Sequence, residues 1–161
     1  MLKKIFLFLL MALVVIQFIH PEKNKASGPQ ANYIGNVHPV PDDVKNILAK
    51  ACNDCHSNNT GYPWYTAIQP VDWWMNNHVQ DGKKELNLDD YSNRSLRYQY
   101  HKLEEIEEQV KDGEMPLKSY TWIHKDAILT PVEKEKLIGW SKSLRDAMKA
   151  KYPIDSLVRK K

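Results

Sequence analysis

The chain has 161 residues, which suits one domain plus a short appendage and is too few for two full domains. With 42% hydrophobic and 27% charged residues it has the composition of a folded protein, without long low-complexity tracts. The formal net charge is only +3, and Lys3 and Lys4 supply two of those charges, so the concentrated basic face of a nucleic-acid binder is excluded.

Lys3 and Lys4 precede an apolar run over residues 5–19, interrupted only by Gln17. Positive residues followed by an apolar run describe an export signal. The bulky Gln17, Phe18 and Ile19 make a poor cleavage site. The nearest small-x-small alternative, Ala26-Ser27-Gly28, is followed directly by Pro29. Residues 1–20 are therefore expected to be an uncleaved anchor helix in the inner membrane, with a removed signal peptide as the alternative. Either way, the lysines stay inside and the rest of the chain lies on the periplasmic side. Residues 21–41 are rich in Pro, Asn, Lys and Gly, lack periodicity, and are expected to be a tether.

The folded domain is expected over 42–161. Asp42 or Asp43 would cap a helix that carries Val44, Ile47, Leu48 and Ala51 on one face and runs into Cys52. Repeated turns follow to Pro70, then a second helix over 71–80 that ends near Gly82. A third runs over 95–111, with Leu96, Tyr100, Leu103, Ile106 and Val110 at helical spacing, and Gly113 stops it. The last helix starts at Thr130-Pro131-Val132-Glu133, a capping box with proline at the first helical position. Its apolar face comprises Leu137, Ile138, Trp140, Leu144 and Met148. No strand pattern or internal repeat is evident, so the expected fold class is all-α.

The only two cysteines stand in Cys52-Asn53-Asp54-Cys55-His56, the C-x-x-C-H haem-attachment sequence. Positions i, i+3 and i+4 share one helical face, so two thiols can add to the two vinyl groups on one edge of haem. The adjacent imidazole of His56 then binds iron from the proximal side. A redox dithiol would expect a βαβ context and has no need of the histidine, and a zinc site would need a second ligand cluster. The expected cofactor is one covalent haem c.

For the sixth iron ligand the leading candidate is Met115, in Gly113-Glu114-Met115-Pro116-Leu117, where Pro116 stiffens a loop just past a helix. His78 is the alternative, though it could be an ordinary histidine bonded to backbone. His101, His124 and an open iron are weaker alternatives, and His20 and His38 are expected to be merely solvated. Met75 and Met148 suit core filling. Five tryptophans and eight tyrosines suit a small core or a flat ring to pack against. Trp64, Trp73, Trp74, Trp122 and Trp140 are accordingly expected in the core or against haem.

Together with the attachment sequence, Pro63-Trp64-Tyr65, Asn77-His78-Val79, Leu86-Asn87, the Gly113–Leu117 run, Tyr120, His124 and Ala127 resemble the haem-binding domain family. Its members are small exported c-type proteins, found alone or joined to di-haem peroxidase-type modules. The resemblance covers residues 42–140. It implies haem c binding with electron transfer, and no defined substrate. A catalytic partner, such as a di-haem peroxidase-type protein, would be a separate chain. The arrangement is also similar to class I cytochromes c, with Trp140 as the aromatic of the last helix packing near the first. Residues 63–95 have no class I counterpart.

The leading expectation is an electron carrier that exchanges with a periplasmic redox partner. The alternatives are a haem enzyme or peroxide/gas sensor with a displaceable distal site, in which His78 or His124 serves as acid/base, and a binding module that uses haem structurally.

Overall fold

The computed structural model describes residues 1–159, so the last two residues of the expected 42–161 unit lie outside it. Eight α-helices run in chain order among the described residues: α1 (Leu2–Ile16), α2 (Asp42–Ala51), α3 (Asn53–His56), α4 (Val71–Glu85), α5 (Leu96–Asp112), α6 (Lys118–Thr121), α7 (Pro131–Lys151) and α8 (Ile154–Leu157). Short 3-10 turns at Ile34–Asn36, Trp64–Ala67 and Lys125–Ala127 join them. No strand forms among these residues, and β-type pairing is confined to two isolated bridges, Lys25 with Asn59 and Asn32 with Asp90. The all-α expectation holds.

The frame is α5 packed on α7, with α2 laid against α7 and α8 closing over α5. Each helix contributes the face its periodicity specifies. Val44, Ile47, Leu48 and Ala51 are buried from α2, Tyr100, Leu103 and Val110 from α5, and Leu137, Trp140, Leu144 and Met148 from α7. At the α5–α7 contact the side chain is only a serine: Ser141 is fully buried and its hydroxyl donates to the Leu103 carbonyl at 2.7 Å. Trp140 donates its indole N–H to the Pro39 carbonyl at 2.9 Å, tying α7 to the approach to α2.

Of the expected helix ends, Gly113 stops α5 with φ +74°, and Thr130 and Glu133 exchange the two bonds of a capping box; the structure adds a cap at Ser95, which accepts from the Tyr98 N–H at the start of α5. Asp42 and Asp43 do not cap α2. Pro41 occupies the cap position, and the two aspartates sit in the first turn, where their charge complements the helix dipole.

Three expectations need correction. The second helix does not end near Gly82 but runs on to Glu85, because the glycine is a contact point within the helix. The N-terminal apolar run is helical only from Leu2 to Ile16, about 22 Å at 1.5 Å per residue against a hydrocarbon layer of ~30 Å. None of the described helices is long and apolar enough to cross a membrane, so a spanning anchor is not supported. The segment 21–41 does not hang free as a tether. It lies along the helical body as a strap, with Ile34 fully buried and Val40 in the core. Asn24 bonds the Ser57 carbonyl, the Thr60 hydroxyl, the Tyr62 hydroxyl and Lys83, and Ala26 donates to the Asn58 carbonyl.

Candidate functional site

Cys52 breaks the helical path, with φ −128° and ψ −45°, so Asn53–His56 forms its own turn, α3, after α2. Within that turn the Cys55 and His56 N–H groups both reach the Cys52 carbonyl, at 3.1 and 2.9 Å, which places Cys52, Cys55 and His56 on one side.

That turn rests on α4. A Cβ on Gly82 would lie 2.7 Å from the Cys55 carbonyl oxygen and 2.9 Å from the Cys55 Cβ, so only glycine allows the approach. The contact brings the last carbonyls of α4 to His56, whose Nδ1 is 3.0 Å from the Gly82 oxygen and 2.9 Å from the Leu86 oxygen. Both partners are acceptors only, so Nδ1 carries the proton and Nε2 keeps its lone pair. Burial pushes the His56 pKa below its ordinary value, against the two backbone bonds, which raise it. The ring is therefore neutral and ligand-ready, with Nε2 turned away from α4.

A cavity of about 530 Å³ opens on that side, within the range of ligand pockets, and Cys52, Cys55, His56, His78 and Met115 all line it. Leu48, Ala51, Leu86, Leu88, Ile106, Val110 and Leu137 make much of its wall apolar. Met115 arrives just after the Gly113 stop, where the Glu114 and Met115 N–H groups both bond the Gln109 carbonyl and fold the segment back toward α5. Lys102, 8% exposed, stands at the same wall between Glu85 and Glu105, at 3.2 and 2.5 Å.

Both thiols are free in the chain, and burial pushes Cys52 up to about 12 and Cys55 up to about 11. A redox dithiol needs the opposite, a depressed thiol pKa in an electropositive setting. Among the described residues, no three His, Cys, Asp or Glu side chains stand together to hold a metal ion. An iron here would need further donors from its own organic frame, as a porphyrin's ring nitrogens provide. The donor set and the apolar cavity fit such a group.

The profile of the haem-binding domain matches residues 11–143. The chain belongs to that family. Its haem-binding character follows, and the match takes in both the strap and the segment 63–95. No curated protein and no solved structure matches the chain.

Of the other residues that carry the resemblance, His78, Leu86 and Tyr120 line the cavity. His78 lines it from α4 and bonds the Trp74 carbonyl through Nδ1 at 2.9 Å, with the two rings 4.3 Å apart. His124 lies in an adjoining cleft of about 30 Å³, its Nε2 2.7 Å from the Tyr65 hydroxyl and its ring stacked on Tyr120 at 4.2 Å. Ala127 is fully buried in the core. His101 faces outward toward Glu104 and Glu105, so it is not at the site.

Two histidines expected to be solvated are engaged: His20 bonds Asp72 at 2.7 Å, and His38 sits edge-on to Tyr91 with its pKa lowered by burial and then by Lys151. The tryptophans split. Trp140 is buried, whereas Trp64, Trp74 and Trp122 are 79%, 45% and 75% exposed, so these three are not core residues. Sequence reading missed the Gly82 contact, because a lone glycine near the end of a periodic run reads first as a stop.

Proposed function

We propose that this family member is a mono-haem c-type electron carrier. Cys52 and Cys55 would hold the haem through thioethers, and His56 and Met115 would be the residues that ligate its iron. The observation that carries the reading is the shared cavity: Cys52, Cys55, His56 and Met115 all line one largely apolar space. Bound there, haem supplies one-electron exchange between ferric and ferrous iron. The chain orients the imidazole through Gly82 and Leu86, and its apolar wall favours the less charged ferrous state. Met115 is preferred to His78 because α4, which carries His78, also backs the proximal imidazole, leaving the opposite side to the segment after α5.

The apolar run that follows Lys3 and Lys4 in α1 supports export; the domain would then lie on the periplasmic side of the inner membrane, with a redox protein, such as one of the di-haem peroxidase type, as its partner. His78 at the cavity wall favours one second reading, a haem enzyme or sensor with a displaceable distal ligand.

The test is optical and mass spectrometric. The pyridine derivative of the reduced protein should show haem joined through two thioethers, and intact mass should show one haem per chain. Met115→Ala should abolish the weak red charge-transfer band of methionine–ferric iron ligation and lower the reduction potential. Haem lost to acid–acetone extraction would sink the covalent reading, and an unchanged spectrum in Met115→Ala would move the ligand to His78 or leave the position open.

A further inference from the structure

Asp54 stands inside the attachment motif, between the two cysteines, and it is the point where three separate segments meet. Its Oδ1 accepts from the Gly61 N–H at 2.8 Å, and its backbone carbonyl accepts from the Thr60 hydroxyl at 2.6 Å, so the chain after the motif folds back onto the motif. Gly61 suits this closeness, since a Cβ there would stand 3.1 Å from Oδ1. The other carboxylate oxygen, Oδ2, accepts from the Tyr120 hydroxyl at 2.7 Å.

Tyr120 belongs to α6, which begins just after Met115-Pro116-Leu117, and its N–H bonds the Leu117 carbonyl at 3.0 Å. The Tyr120 ring lies flat on His124, with 7° between planes, and His124 is held in turn by Tyr65 of the turn Trp64–Ala67. A single carboxylate thus connects the turn bearing both cysteines and His56 to the segment bearing Met115. The Asp54–Tyr120 bond is charge-assisted, the stronger kind of hydrogen bond.

We infer that Asp54 and Tyr120 form a latch that holds the Met115 segment against the attachment turn, making both of them positioning residues for the distal ligand. The inference rests on the proposed Met115 ligation. Opening the distal side to an incoming ligand requires the Met115 segment to move, and that movement pulls on the Asp54–Tyr120 bond. The bond therefore sets how readily an external ligand displaces Met115, while the thioethers and His56 stay where they are.

The experiment uses the haem-loaded full chain and measures imidazole binding to the ferric state for wild type, Tyr120→Phe, Asp54→Ala, the double variant and Met115→Ala. Tyr120→Phe and Asp54→Ala should each bind imidazole about tenfold more tightly than wild type, a difference of about 1.4 kcal/mol. The double variant should add nothing to Asp54→Ala, because the same bond is already gone. A role confined to stability would lower the melting temperature and leave the imidazole affinity alone.

If Asp54→Ala fails to mature, Tyr120→Phe, which removes one oxygen outside the motif, decides alone. Should Met115→Ala tighten imidazole binding while Tyr120→Phe binds as wild type does, the latch is wrong and the Met115 assignment stands. Should Met115→Ala also bind as wild type does, the Met115 assignment itself fails, and the latch with it.

Discussion

Gly82 shows how much of the site turns on one missing carbon. It lies inside α4, where glycine costs about 1 kcal/mol relative to alanine, and the offsetting gain is the close approach of the Cys55 backbone. Gly82→Ala should therefore not stabilise the protein through helix propensity. The added methyl group must push α4 off the attachment turn, at a cost of about 1–3 kcal/mol, and it must disturb the bond between the His56 Nδ1 and the Gly82 carbonyl. The expected result is a lower melting temperature with a reduced yield of haem-loaded chain, read by thermal unfolding and by the haem-to-protein absorbance ratio. A variant as stable and as well loaded as wild type would show that the contact is slack. Cys52, Cys55 and His56 were legible in the sequence as residues of one candidate site, and the structure brings them to one cavity. Gly82 was not, since its partner is 27 residues away in the chain and nothing local reveals it.

At the scale of elements, the long helices follow their signals closely. α7 is capped by Thr130, as its capping box requires, α5 starts where its periodicity does, after Ser95, and both bury the faces that their periodicity marks. The α7 cap also reaches α2, because Glu133 pairs with Lys50 at 2.6 Å while accepting from Thr130. The Lys50 bond and then the Thr130 N–H hold the Glu133 pKa down at about 2, from an ordinary 4.5. A carboxylate with a depressed folded value stabilises fully above its unfolded value. That contribution is lost as pH falls from about 4.5 through about 2. Glu133→Gln should thus flatten the acid limb of the melting profile across that window and leave its shape near neutrality little changed. Parallel acid limbs in the two proteins would assign the loss to other carboxylates. The shorter elements escaped the sequence reading. α3 is a separate turn because Cys52 leaves helical geometry, and α6 is only four residues long, too short for any periodicity.

Across the whole molecule, the least expected feature is the strap. Its anchor is Asp72, whose side chain is 1% exposed, with Lys23 at 2.6 Å and His20 at 2.7 Å. Burial pushes this carboxyl up, and the bonds from Lys23 and His20 more than offset it, so the net shift is downward. Gln17 exchanges bonds with the Gln69 backbone, and the Ile19 carbonyl accepts from the Gln69 and Trp73 side chains. The strap thereby crosses from the end of α1 to the segment just after the attachment motif. Asp72→Ala should loosen it, at a cost of about 1–2 kcal/mol once solvent at the two half-exposed cations is allowed for. Hydrogen exchange should rise across residues 20–26 while α5 and α7 stay protected. Uniformly faster exchange would mean that the strap and the helical body unfold together.

What the sequence determined by itself was whatever depends on near neighbours: the spacing of Cys52, Cys55 and His56, the Thr130 capping box, the apolar faces of α2, α5 and α7, and the glycine stop that precedes Met115. Helical periodicity and capping are local physics, written within a few residues. Only the tertiary structure decided that α4 backs His56, that Asp54 reaches Tyr120 across 66 positions, and that residues 21–41 are strap and not tether. Those outcomes depend on hydrogen bonds and close contacts between distant parts of the chain, for which polar, aperiodic stretches carry no local signal.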